Sequence, residues 1–355
     1  MIKALCHPLP CRGPRVLPPR SLPIARGLTQ PKSPRLLEQR SIATAKGQVH
    51  PSMSSSHTLA KLVFGTDALK LDKLFDVSGW VAIVTGGGTG LGLVTASALA
   101  SNGCKVYITG RRLEPLQEAA RTAAPEGSPG SIIPVQADMS SKEGILRLKE
   151  VIEKEEKWVN VLINNHGVSL DVPKINEAEQ TAQGIAKKMF DDETFESWAD
   201  GHRINTASYY FTTFAFLPLL DAAQKVGKYS EPGNVLNIAS VSGITKTSQR
   251  GQFSYNSNKA ATISLSHQLA TEFARRGLGI RVNVVCPGYF PSGMSPVDEK
   301  YLKPSEEFKQ KYGTPLGRSG NAQDYAQCIF GLINNQYVTG AEVVIDGGWL
   351  LVQAF

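Results

Sequence analysis

A chain of 355 residues, 41% hydrophobic and 19% charged, has enough apolar material for a sizeable core and is not a disordered protein. Its formal charge of +7 is an end effect: residues 1–60 carry nine Lys or Arg against Glu38 alone, and the remainder holds 29 basic and 30 acidic residues. The body therefore has no electrostatic footprint for nucleic acid. The longest apolar run, Tyr209 to Leu220, is too short for a membrane span, and the five cysteines show no paired spacing that suggests disulfides or zinc.

Residues 1–58 read as a separate extension. Being Arg- and Ser-rich and poor in acids, it looks like a mitochondrial transit peptide with Arg40-Ser41 as a processing point. Nine prolines between Pro8 and Pro51 oppose a long amphipathic helix there, and a disordered extension or an initiator at Met53 has the same composition. A mitochondrial location follows from the first reading and a cytoplasmic one from the others. Residues 59–355 are expected to form one domain.

From Trp80 the pattern becomes regular. Short, mostly β-branched runs at Val81–Val84, Val106–Ile108, Ile132–Val135, Val159–Ile163, Val235–Ile238, Arg281–Val285 and Glu342–Ile345 predict strands. Between them helices are predicted at Leu91–Ala100, Glu114–Thr122, Ser140–Glu156, Thr194–Ala223, Asn256–Arg276 and Ala322–Ile333. Strands alternating with helices predict a three-layer α/β fold, a parallel sheet covered on both faces.

Thr85-Gly86-Gly87-Gly88-Thr89-Gly90-Leu91-Gly92 lies between the first strand and its helix. Glycines allow a sharp turn and a close backbone approach to a pyrophosphate, which the helix N-terminus then holds with unpaired N–H groups. Tyr255 and Lys259, spaced i, i+4, share a helix face. A phenol titrates near ~10 and is a poor acid–base group at neutral pH; a neighbouring ammonium is expected to lower that value toward the working range. A hydroxyl near the end of strand five would hydrogen-bond the substrate oxygen, and Ser240 and Ser242 compete for that place. Ser240 is preferred because strand position fixes a hydroxyl more firmly than loop length does.

The TGxxxGxG spacing, Asn164-Asn165-His166-Gly167, Tyr255-Asn256-Ser257-Asn258-Lys259, Pro287-Gly288, and Val338-Thr339-Gly340 before Asp346-Gly347-Gly348 together resemble the short-chain dehydrogenase/reductase family over about residues 76–350. The resemblance implies a Rossmann fold with seven parallel strands in the order 3-2-1-4-5-6-7. It implies Tyr255 as general acid in carbonyl reduction and Lys259 as its tuner, holding the nicotinamide ribose. Ser240 would polarise the carbonyl, and Asn205 would support a water that leads protons to solvent. Cofactor contacts are expected from Thr85, Gly86, Gly88, Thr89, Gly90, Leu91, Asn165, Pro287 and Gly288. Asp138 and Met139 would lie at the adenine, and Ser292 at the nicotinamide amide, at the start of a substrate lid over about 289–318. Gly110 followed by Arg111 and Arg112 stands where an acid would select NAD, so NADP(H) is the expected cofactor. The expected activity is NADPH-dependent reduction of a ketone, a 3-oxoacyl thioester or secondary metabolite among the options. Alcohol oxidation and a non-catalytic NADP(H) sensor are the alternatives. No metal is expected. The family's pairing of long helices implies a homodimer or homotetramer.

Two departures stand out. His166 replaces the family's alanine and is given no chemistry. The stretch between Gly167 and Asn205 is long for the family and reads, around Asp171–Phe190, as a solvated helix. Tyr289, Phe290 and Met294 suggest an apolar substrate entrance, or core.

Overall fold

The central strands are apolar on both faces, so each side chain has a core to enter whichever way it points. In the computed structural model, which describes residues 67–170 and 174–353, seven strands form one parallel sheet in the expected order β3-β2-β1-β4-β5-β6-β7. They are β1 (Val81–Thr85), β2 (Lys105–Gly110), β3 (Ser131–Gln136), β4 (Val161–Asn164), β5 (Asn234–Ile238), β6 (Arg281–Pro287) and β7 (Glu342–Ile345). The extension expected at 1–58, with its transit-peptide reading, lies outside the described residues.

The helices of seven residues or more among the described residues are α1 (Gly90–Ser101), α2 (Leu113–Thr122), α3 (Lys142–Glu155), α4 (Ala182–Asp191), α5 (Phe195–His202), α6 (Ser208–Lys225), α7 (Phe253–Arg275), α8 (Glu306–Tyr312) and α9 (Ala322–Asn334). Side-chain alternation sorts the strands into two cores. Ala82, Val84, Val106, Ile108, Val161 and Ile163 pack with Leu99 of α1, Leu116 of α2 and Ile329 of α9. Val81, Ile83, Tyr107 and Leu162 pack on the other face with Leu148 of α3, Phe216 of α6 and Phe273 of α7. Both faces of the sheet are thus sealed, and the strand ends are left for ligands. β1 pairs with β2 on one side and β4 on the other, so the topology reverses there and opens a crevice beyond the carboxyl ends.

One helix differs from its sequence pattern. The run expected over Thr194–Ala223 is α5, a π-turn at Arg203–Ala207, and then α6. The neighbouring α7 competes for main-chain groups here: Thr262 donates its hydroxyl to the Asn205 carbonyl at 2.8 Å. The Thr206 hydroxyl in turn donates to the Asn258 carbonyl at 2.9 Å. Such side-chain insertion into the helical ladder is a known cause of π-turns and kinks. The long segment after β4 holds a 3₁₀ turn at Ile175–Glu177 and the solvated helix α4, which buries no residue.

Candidate functional site

The glycine turn follows β1 because its backbone must fold into space that no side chain could share. Gly86 has φ +65°, and a β-carbon there would lie 2.9 Å from the Cα of His166. A β-carbon on Gly92 would lie 2.2 Å from the Gly86 carbonyl oxygen, so α1 can begin this close to the turn only as glycine. Thr89 caps α1 without placing its hydroxyl on the first N–H groups, which leaves the helix N-terminus to the crevice.

A cavity of about 1250 Å³ fills that crevice, larger than the roughly 300–1,000 Å³ of a single small-molecule site. Gly86, Gly88, Thr89, Gly90 and Leu91 line its floor, and Arg111, Arg112, Asp138 and Met139 line the end beyond β2. Burial alone would raise the Asp138 carboxyl, but hydrogen bonds from the backbone and hydroxyl of Ser140, with Arg111 and Arg203 nearby, outweigh it and hold the group low. Pro287, Gly288 and Ser292 close the cavity from the β6 side. Ser292 crosses over the turn so closely that a β-carbon on Gly90 would lie 3.3 Å from its own.

Two expected contacts spend their side chains on the protein itself. Thr85 is fully buried and turns its hydroxyl to the loop after β4, accepting from the Asn165 backbone N–H at 2.9 Å. Asn165 reaches the cavity wall, yet its side-chain amide donates to the carbonyls of Thr85 at 3.0 Å and Gly86 at 3.3 Å. It braces the turn.

His166, to which sequence assigns no chemistry, joins that turn to the π-turn. Its Nδ1 lies 2.8 Å from the Thr85 hydroxyl and its Nε2 lies 2.7 Å from the Ser208 hydroxyl. Ser208 donates its proton to the Ile204 carbonyl at 2.7 Å, so it accepts from Nε2–H. Nδ1 is left to accept from Thr85, whose one proton favours this 2.8 Å contact over the Ile163 carbonyl at 3.3 Å. The ring is therefore neutral, and burial first, then the Lys259 ammonium, pushes its pKa down to about 3. Its backbone carbonyl accepts from the Tyr209 hydroxyl at 2.8 Å.

The chemical centre lies where β5 ends against α7. Ser240 caps a 3₁₀ turn at Val241–Gly243, its hydroxyl accepting from the Ser242 N–H at 3.1 Å. The same hydroxyl interacts with the Tyr255 phenol. Ser240, Ser242, Tyr255 and Lys259 all line the cavity. Lys259 is 3% exposed and donates to the Ile238 carbonyl at 3.0 Å, with its ammonium 5.7 Å from the Tyr255 ring centre.

The expected lowering of the Tyr255 pKa is not what this arrangement produces. Burial pushes it up to about 12, against which the Ser240 hydrogen bond is a smaller, opposing effect. Lys259 is itself pushed down to about 8 by burial. Desolvation outweighs the cationic neighbour, whose N–H is directed at a backbone carbonyl. The phenol is held in its proton-bearing form.

Asn205 lies behind the main cavity. Its side chain accepts from the Val168 N–H at 2.8 Å and donates to the Val168 carbonyl at 2.9 Å. With Tyr255 and Asn258 it lines a second cavity of about 10 Å³, at the lower limit for one water. Gly167 permits this approach, since a β-carbon there would lie 2.9 Å from Asn205 Oδ1.

The substrate side is an aromatic wall. Tyr289 packs edge-on to Tyr312 at 5.0 Å and to Trp349 at 6.1 Å between ring centres. Trp349 donates its indole N–H to the Tyr312 carbonyl at 2.9 Å. Phe290, expected at the entrance or in the core, is core: it is 5% exposed and packs on Tyr325. Met294 is exposed. Sequence reasoning missed Tyr312, Trp349, Gln249, Arg250 and Lys311, which reach the cavity from three separate segments that no local motif connects. Among the described residues no cluster of potential metal ligands occurs, and no helix is long and apolar enough to cross a membrane.

Comparison with known proteins agrees with this geometry. The family described as short chain dehydrogenase matches residues 80–301. Short-chain dehydrogenase/reductase PhomF of Diaporthe leptostromiformis is 35% identical over 290 residues, 81% of this chain and 97% of that protein. A rhamnolipids biosynthesis 3-oxoacyl-[acyl-carrier-protein] reductase of Pseudomonas aeruginosa is 30% identical over 281 residues, 78% of this chain and 98% of the relative. Among solved structures, the Pseudomonas aeruginosa RhlG/NADP active-site complex superposes with a TM-score of 0.64 at 28% identity, over 78% of this chain and 98% of that one.

Proposed function

Because the chain belongs to the short-chain dehydrogenase/reductase family, we propose that it is an NADPH-dependent oxidoreductase that reduces a ketone to an alcohol. One observation carries the reading: a proton-bearing phenol and a serine hydroxyl meet at one point of the cavity, with a buried ammonium behind them.

The cavity fits a phosphorylated dinucleotide. Its floor is the turn at Gly86, Gly88 and Gly90, where Gly86 tolerates no β-carbon, its volume leaves room for a second molecule, and Arg111 and Arg112 line the end where β2 supplies no carboxylate. Two guanidinium groups suit a ribose 2′-phosphate by charge and by their fork of donors. The similarity to the RhlG/NADP complex supports the same choice. Bound NADPH would supply the hydride to the carbonyl carbon.

The protein's own groups act on the oxygen. Ser240 donates a hydrogen bond to it and Tyr255 delivers a proton as negative charge develops there. A phenol held near 12 keeps its proton until the oxygen has become basic enough to take it. Lys259 then stabilises the tyrosinate, and the small cavity beside Asn205 has room for one water to return the proton. Ser240, which interacts with the phenol, is assigned this task in preference to Ser242. The test is consumption of NADPH across a ketone panel by wild type and Tyr255→Phe. Turnover should fall by about 10²–10⁴ in the variant while NADPH still binds. Unchanged turnover in Tyr255→Phe would remove the proposed acid.

A further inference from the structure

We propose that the ketone this site reduces carries an anionic group, a carboxylate or a phosphate, which Arg250 holds at the substrate mouth with Lys311 as a second cation lining the same cavity. The inference rests on the reductase reading and adds the charge class of the substrate.

Among the described residues Asp138 is the only carboxylate lining the cavity, and it lies at the far end, with Arg111 and Arg203 close enough to act on it. Among the described residues the substrate side of the lining has two cations, Arg250 and Lys311, and no acid, with Glu307 outside the lining but close enough to Lys311 to be acted on by it. Lys311 is held over the rings of Tyr301 and Tyr312, its ammonium 5.5 and 5.2 Å from their centres. Arg250 lies near enough to the Tyr289 phenol to act on it electrostatically. Among the described residues the Arg250 guanidinium makes no ion pair, although it lines a cavity. A fork of donors left without a carboxylate at a cavity mouth is suited to an anion brought by the ligand.

The backbone shows that this placement is imposed. Gln249 and Arg250 have φ of +50° and +76°, two consecutive non-glycine residues in the left-handed region. Such strain persists only where the surroundings over-determine it, and it gathers at ligand sites. Ser248 supplies part of that constraint, its carbonyl accepting from the Gln252 N–H at 2.7 Å and its hydroxyl from the Gly251 N–H at 3.1 Å. The long segment after β4 supplies the rest: the Ile175 N–H donates to the Arg250 carbonyl at 3.1 Å. That segment, without a role in the chemistry above, clamps the arginine. Beside it the Gln249 side-chain oxygen is buried with no donor, although the residue lines the cavity. An acceptor in that state is available to a hydroxyl or N–H of the same ligand.

The test uses keto acids of increasing chain length and keto phosphates, each paired with its methyl ester. Two readouts are taken on the full chain: kcat/KM with NADPH, and binding to the NADPH-loaded protein by nicotinamide fluorescence. Wild type should favour one anion over its ester by tenfold or more in both readouts, and the favoured pair tells carboxylate from phosphate. Arg250→Gln should bring that ratio close to one, and Arg250→Lys should retain part of it. A wild-type ratio near one, or a ratio unchanged in Arg250→Gln, overturns the proposal. Selective anion binding without any turnover would instead keep the anion site and remove the reductase reading.

Discussion

Neutral His166 links acid stability to a bridge between the cofactor turn and the π-turn. In the folded chain its pKa is about 3, against an ordinary value of 6.5. Unfolding in mildly acidic solution therefore takes up a proton that the folded protein excludes. Stability from this source is complete above pH ~6.5 and is lost as the pH falls toward 3. Between pH ~7.5 and ~5 the loss is about 2 kcal/mol, because the unfolded imidazole is almost fully protonated at the lower value and the folded one hardly at all. His166→Ala should lose about 1–3 kcal/mol at pH ~7.5, from two missing hydrogen bonds and a small void. It should then be nearly indifferent to acid on this account. Urea denaturation of both proteins at matched concentrations, from pH ~7.5 to ~5, reads the difference directly. The two stabilities should converge as the pH falls. Parallel curves would falsify the assignment of a neutral, proton-excluding bridge, because the variant would then have lost no titrating group.

The remaining expectations concern the chemical step and the cofactor. Ser240→Ala should lower kcat by about 10²–10³ with little change in NADPH binding, the loss typical of one donor to a developing oxyanion; a larger loss in Ser242→Ala would reverse the choice between the two hydroxyls. Replacing Arg111 or Arg112 by Ala should weaken NADPH about 10–100-fold and leave NADH nearly unaffected, measured by paired fluorescence titrations. An equal effect on both cofactors would show that the guanidinium groups do not face a phosphate.

Much of the architecture was legible because it depends on local pattern. Short apolar runs such as Val81–Val84 have two cores to enter, and the glycine cluster after them marks a turn that side chains cannot make. Tyr255 and Lys259 share a helix face by spacing alone, and Asn237 to Ser240 lie at a strand end that the apolar run already locates. What stayed hidden depends on contacts between distant segments. The phenol looked acidified because a cation stood one turn away, but the depth of burial, which outweighs that cation, is a tertiary quantity. His166 acquires its role from Ser208, 42 residues later. Thr194–Ala223 looked continuous because the helical period carries no mark of Thr262, on another helix, drawing the Asn205 carbonyl out of the ladder. Phe290 and Tyr289 are neighbours of similar hydropathy, and only the close approach of Gly320 to the Phe290 ring separates core from wall.

The π-turn sets the rotational phase of everything after it. Each residue advances an α-helix by about 100°, and a π-turn accommodates one residue more than the regular ladder does. Winding the same residues of Arg203–Ala207 as regular α-helix would give an unbroken rod, yet it would swing either α5 or α6 through roughly that angle. Tyr209 would then leave the His166 and Ile238 carbonyls that it now joins. At this point the chain keeps an irregularity in its helix so that two successive stretches of it can each aim the right face at the same small volume.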